Sequence, residues 1–156
     1  MSWKRKVEPW VRPLIRTHHR MSRGLTLGVR GMVFDEVGRV LLIRHTYVRG
    51  WHLPGGGVEK HETAEEALAR ELVEEAGVVM QGRPSLLSIY SNHPHFKGDH
   101  VLIYRVHEWS ACEPTSRGEI EAIEWFAPGS LPRGVTRGTQ RRIEEALGAH
   151  PPDLFW

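Results

Sequence analysis

A single cysteine, Cys112, occurs among the 156 residues. No intramolecular disulfide can form, and a reducing compartment is the expectation. Nothing around Cys112 marks an activated thiol, so it reads as a small buried or surface residue rather than a nucleophile. No stretch approaches the roughly 18 apolar residues that a membrane span needs. The basic N-terminal region lacks the apolar run and small-residue cleavage site of a secretory signal, which makes the cytoplasm the expected location. Charge of one sign is also scarce: 21 basic and 19 acidic residues leave a net +2. Such a balance does not by itself call for a nucleic-acid or membrane partner. Internal repeats and low-complexity tracts are absent too.

What charge there is divides unevenly. Residues 1–24 carry seven basic side chains against Glu8, a net +6, so the remainder stands at −4. This suggests a basic leader over 1–24, one domain over 25–150 and a tail over 151–156, since the length suits a single core. With Trp3, Trp10, Leu14 and Ile15, the leader could dock on the domain, touch anionic lipid or contact nucleic acid. The Pro151–Trp156 tail either covers an apolar surface or frays.

Thr26–Asp35 and Arg39–His45 are β-branched, apolar runs around the turn Glu36-Val37-Gly38, which predicts a hairpin. Trp51-His52-Leu53 runs into Pro54-Gly55-Gly56-Gly57, a loop by composition. Thr63 with Glu66 forms a capping box, helix formers fill Ala64–Ala76, and Gly77 stands where a left-handed cap belongs. Strands are expected at Ser85–Ser91, Asp99–Trp109 and Ile123–Phe126, with a loop at Asn92–Gly98. A second helix follows over Thr136–Leu147. Mixed strands with two interspersed helices define an α/β layered domain.

At about 100° per helical residue, Glu71, Glu74 and Glu75 share one face of the first helix. Like charges at that spacing cost some tenths of a kcal/mol per pair, so the cluster calls for a reason. Carboxylate oxygens are hard ligands suited to Mg²⁺ or Mn²⁺, ions that bridge carboxylates to substrate phosphates. A solvated helix face is the ordinary alternative.

The surroundings decide between the two. From Gly56 the chain reads GGVEKHETAEEALARELVEEAGV: Gly56, five residues, Glu62, seven residues, Arg70-Glu71-Leu72, one residue, Glu74-Glu75, one residue, Gly77-Val78. This resembles the Nudix box at nine positions over 23 residues. The resemblance extends to the flanks and implies the Nudix fold, an α/β/α sandwich with a central mixed sheet. It further implies a hydrolase in which water attacks phosphorus of a nucleoside diphosphate derivative, with Mg²⁺ or Mn²⁺ as cofactor.

By position, Glu71, Glu74 and Glu75 would hold the metal, with the Gly56 carbonyl as a further oxygen. Arg70 would orient Glu71. Glu62 would support the loop and helix, or simply answer the helix dipole. Family members often place another glutamate about six residues before the Trp of the later strand, which indicates Glu119 before Trp125. Whether Glu119 or a box glutamate is the general base stays open. An acidic pocket holds a diphosphate only if cations intervene, and these also acidify attacking water.

Arg44, Trp51 and His95 are the candidate substrate contacts, His95 lying in a histidine-bearing loop with His93 and His100. Pro94, 16 residues beyond Val78, resembles a marker of ADP-ribose pyrophosphatases, although the longer N-terminal dimerisation region of many such enzymes is lacking. The expected partner is a small nucleoside diphosphate substrate rather than nucleic acid, with homodimerisation left open. The substrates to separate are ADP-ribose, nucleotide sugars, dinucleoside polyphosphates and nucleoside triphosphates. The rival functions are a nucleotide-binding module without turnover and an RNA 5′-end pyrophosphohydrolase guided by the basic leader.

Overall fold

Apolar residues at successive positions, as in Val40-Leu41-Leu42-Ile43, suit a strand buried on both faces. The computed structural model, which describes residues 24–116 and 118–156, builds such strands. In chain order they are β1 (Thr26–Val33), β2 (Val40–His45), β3 (Trp51–His52), β4 (Val78–Gln81), β5 (Ser85–Ser91), β6 (Asp99–Val106), β7 (Glu108–Ala111) and β8 (Ile120–Phe126). Helix α1 (Ala64–Glu71) precedes β4, and α2 (Arg137–Ala146) follows β8. β6 pairs with β1 in parallel and with β5 antiparallel. β2 lies antiparallel between β3 and β8, and β4 pairs with β7.

The two-residue period of a strand sorts side chains into two cores. On β2, Leu41 and Ile43 join Leu68 and Leu72 on the α1 side, whereas Val40 and Leu42 pack with Ile143 of α2. β6 divides in the same way, Leu102, Tyr104 and Val106 to one core, Val101 and Ile103 to the other. The order α/β/α follows. The β layer, however, is two three-stranded sheets and a two-stranded ribbon rather than one continuous sheet. Gly31 lets α1 settle onto β1, since a Cβ there would stand 2.9 Å from Leu72 Cδ2 and 3.2 Å from Leu68 Cδ1.

The expected hairpin between the first two strands does not form. Its turn exists: the Asp35 N–H donates to Arg39 O at 3.0 Å, and Gly38 N–H returns to Asp35 O at 3.0 Å. Beyond the single bridge Phe34–Val40 the arms part into different sheets. One edge of β1 is taken by β6 and the other by the glycine loop, so its ladder groups are satisfied without β2. Two further boundaries differ. The run Asp99–Trp109 breaks at His107 into β6 and β7, and β8 starts at Ile120 rather than Ile123.

The first helix opens on its capping box, Glu66 N–H donating to Thr63 Oγ1 at 3.2 Å and Thr63 N–H to Glu66 Oε2 at 2.7 Å. It does not stay α-helical to Ala76: Leu72–Ala76 form a π-helical turn. Gly77 then closes it with φ 62°, its N–H reaching Leu72 O. No helix among the described residues is long and apolar enough to cross a membrane. The tail runs back to β5, where the Ser91 N–H donates to Leu154 O at 2.8 Å and Trp156 N–H to Ser91 O at 3.0 Å. The basic leader, 1–24, lies outside the described residues apart from Gly24.

Candidate active site

The Pro54–Gly57 loop lies along β1 almost as another strand. Gly31 N–H donates to Pro54 O, Val29 N–H to Gly56 O and Val58 N–H to Leu27 O, each at 2.8 Å. Glycine is required for this approach. A Cβ on Gly55, whose φ is 140°, would strike Val29 O, and one on Gly56 would strike the Glu71 carboxylate. The loop and the end of the first helix thereby become opposite walls of one cavity of about 370 Å³, into which Glu71, Glu74, Glu75 and Glu119 all face.

Three of these carboxylates are tethered, Glu75 by the glycine loop and Glu71 and Glu74 by one arginine. Glu75 Oε2 accepts from Gly55 N–H at 2.8 Å, with its other oxygen 3.8 Å from His45 Nε2. Arg70 donates to Glu71 Oε1 at 2.8 Å, approaches Glu74 Oε2 at 3.5 Å and grips Glu62 through two bonds of 2.8 and 3.2 Å. A further bond from Arg70 to Gly57 O at 3.2 Å ties the loop to the helix. The π turn matters here, because a wider turn rotates each residue by less than 100° and re-aims Glu74 and Glu75 relative to Glu71.

Burial sets the electrostatics. Glu75, 7% exposed, is pushed up to about 7, chiefly by desolvation, with the nearby charges of Glu71 and Glu119 adding to it. The Gly55 N–H bond and Arg30 pull the other way. Arg30 donates to Gly55 O and sits against the same cavity; burial lowers its pKa, opposed by Glu75 and Glu71. His45 and His52 are both depressed by burial, which favours their neutral forms.

Among the described residues, no three His, Cys, Asp or Glu side chains converge on one point as a ready cage for a metal ion. The donor chemistry nevertheless suits a hard divalent cation. Four carboxylates share the cavity, and burial raises the pKa of Glu75 among them. The Gly56 carbonyl is already held by Val29 N–H, which leaves one lone pair for anything else.

Three sequence candidates for substrate contact, Arg44, Trp51 and His95, do not line this cavity. Arg44 is paired with Glu121 at 2.9 and 3.2 Å and lies 5.0 Å over the Trp51 ring. Trp51 is a core residue, 5% exposed and edge-on to Phe126. Strand alternation is the reason: the neighbouring residues His45 and His52 are the ones that face inward. His95 does line a cavity, of about 500 Å³, with His52, Arg137 and Trp156, away from the carboxylates. Arg30 was missed, although a charge inside the apolar run Leu27–Val33 was a readable signal. Trp156 gave no local signal, because only the folded tail brings it to the groove.

Comparison with known proteins agrees with this architecture. The NUDIX domain family model matches residues 24–147. Over 127 residues the chain is 34% identical to a MutT-like protein of Streptomyces ambofaciens, covering 81% of this chain and 80% of that one. A putative 8-oxo-dGTP diphosphatase of Bacillus subtilis (strain 168) is 30% identical over 121 residues, 77% of this chain and 78% of the relative. The crystal structure of a MutT NUDIX hydrolase from Burkholderia pseudomallei superposes with a TM-score of 0.67 at 28% identity, covering 78% of this chain and 97% of that one. A glycine loop and acidic helix on an α/β/α frame thus define a Nudix pyrophosphohydrolase. The chain belongs to the NUDIX domain family.

Proposed function

We propose that the protein hydrolyses a diphosphate linkage in a nucleoside diphosphate derivative, with nucleoside triphosphates the first substrates to try and Mg²⁺ or Mn²⁺ as the cofactor. The observation that carries this reading is the gathering of Glu71, Glu74, Glu75 and Glu119 on one cavity with Arg30 in its wall. The relatives named MutT-like protein and putative 8-oxo-dGTP diphosphatase support the choice of triphosphates.

In this reading Glu71, Glu74 and Glu75 hold the cation, with the remaining lone pair of the Gly56 carbonyl available as a further donor. When bound, a divalent cation neutralises diphosphate charge and lowers the pKa of attacking water. Arg70 fixes Glu71 and, through Glu62 and Gly57, the loop facing it. Arg30 adds positive charge where the diphosphate would lie. Glu119, exposed at the mouth, is the first candidate to take a proton from incoming water, with a box glutamate as the alternative.

The test is chromatographic detection of the nucleotide products, a nucleoside monophosphate above all, from a panel of nucleoside triphosphates, ADP-ribose, nucleotide sugars and dinucleoside polyphosphates, with and without Mg²⁺ or Mn²⁺. Metal-dependent turnover of one class supports the reading. Absence of turnover across the panel, from folded protein that binds metal, overturns it.

A further inference from the structure

Every backbone carbonyl of the loop over 53–57 has a partner, and the partners are of three kinds. Those of Pro54 and Gly56 accept from N–H groups of β1 at 2.8 Å, and that of Gly57 accepts from Arg70 at 3.2 Å. The two that remain, Leu53 and Gly55, both accept from Nη1 of Arg30, the former at 3.4 Å. One side chain thus satisfies the carbonyls that the β1 backbone and Arg70 leave over.

Holding a guanidinium there is costly. Arg30 stands on β1 among Val29, Met32 and Val33, all core residues, and burial opposes its charge. A desolvated cation is tolerated where hydrogen bonds and countercharge answer it, and the two carbonyls with Glu75 and Glu71 do so here. The grip also falls on the most pliable part of the loop. Gly55 and Gly56 flank one peptide unit, and glycine puts little steric resistance in the way of its rotation. The same Gly55 gives its N–H to Glu75 Oε2 at 2.8 Å, and Gly56 lies close against the Glu71 carboxylate.

We infer that Arg30 is a positioning residue of the cation site: by binding the Leu53 and Gly55 carbonyls it holds the glycine loop in the orientation that presents Gly55 N–H to Glu75 and Gly56 to Glu71. The inference rests on the reading of Glu71, Glu74 and Glu75 as the residues that hold the cation. A bystander charge and a loop staple make opposite predictions. Like charges repel, so removing a mere neighbouring cation should tighten the binding of a divalent ion. Removing a staple should weaken that binding even though repulsion is relieved.

The test is Mn²⁺ binding to the full-length protein without nucleotide, followed by electron paramagnetic resonance, for wild type, Arg30→Met, Arg30→Gln and Arg30→Lys. Arg30→Met is expected to bind Mn²⁺ roughly 10–100-fold more weakly, the usual cost of losing a residue that orients metal ligands. Arg30→Lys keeps both the charge and N–H donors, and should bind Mn²⁺ more tightly than Arg30→Met. Hydrogen exchange at the Gly55 amide should quicken in metal-free Arg30→Met, since its bond to Glu75 loosens with the loop.

Thermal melting identifies any variant that fails to fold, and Arg30→Gln, uncharged but polar at its end, carries the same expectation if Arg30→Met does. Uncharged variants that bind Mn²⁺ as tightly as wild type, or more tightly, overturn the inference, as does Arg30→Lys binding more weakly than Arg30→Met. Either result leaves the hydrolase reading to the nucleotide panel. The expected order of affinities without turnover of any nucleotide would uphold the role of Arg30 and sink the hydrolase reading. Wild type that binds no Mn²⁺ removes the cation site and this inference together.

Discussion

Replacing Arg142 with Met should cost the protein about 3 kcal/mol. Arg142 is buried, 1% exposed, on the face of α2 that meets β5 and the tail. It donates to Glu145 Oε1 at 2.7 Å and to Phe155 O at 2.9 Å, and its guanidinium lies 4.0 Å from the centre of the Tyr90 ring. Glu145, 7% exposed, also accepts from Tyr90 Oη at 2.8 Å and Asp153 N–H at 3.2 Å. Met fills most of the volume, so the main effect is a buried carboxylate that loses its close cation. Breaking a buried pair from one side costs about 3–5 kcal/mol. The low end applies because Arg141, 3.7 Å from Glu145 Oε1, remains as a partly exposed countercharge, and because Arg142 Nε, buried without a partner, is removed with it.

At about 2–4 °C per kcal/mol for a chain of this size, Tm should fall by roughly 6–12 °C in a calorimetric or circular-dichroism melt. Arg142→Met with Glu145→Met should recover much of the loss, since no buried charge remains unpaired. A single variant melting within about 2 °C of wild type, or a double variant less stable than the single, would refute the reasoning.

The other expectations follow the same contacts. Tyr90, raised from 10.0 to about 12 chiefly by burial and by its bond to Glu145, keeps its proton in the folded state. Its share of stability is present below pH 10 and lost as pH rises through about 12, so Tyr90→Phe should show a shallower alkaline fall in denaturant titrations; equal slopes would count against this. Glu74→Gln or Glu75→Gln should remove most turnover while leaving a cooperative melt, and near wild-type rates in both would exclude the proposed cation site. Arg70→Lys keeps the charge but loses the two-bond grip on Glu62, and a fall of roughly 10–100-fold in metal affinity or rate is expected; metal titration of activity would show it. Gly77→Ala places a side chain at φ 62° against Cys112 O and should destabilise by about 1–3 kcal/mol, read as a lower denaturation midpoint.

Local chemistry was legible residue by residue. The Thr63–Glu66 capping box, the left-handed Gly77, the glycine loop and the acidic helix are short-range patterns, and the structure forms each where the chain specifies it. Membership of the NUDIX family was likewise written in nine spaced positions. The apolar run of β2 announced a strand buried on both faces, and alternation alone then assigns its residues to two cores.

Tertiary structure decided what depends on partners distant in sequence. The turn at Glu36–Gly38 predicts a hairpin by local rule, yet β1 and β2 each find more backbone partners in other strands, so they separate. Which of two adjacent residues faces the site is a one-residue question of register. It moved the inward position from Arg44 to His45 and from Trp51 to His52. Periodicity at 100° per residue could not show the π turn over Leu72–Ala76, in which Leu72, Glu75 and Ala76 are buried. Trp156 reaches the groove only because the tail returns to β5, a contact across 65 residues from Ser91 that no local pattern encodes.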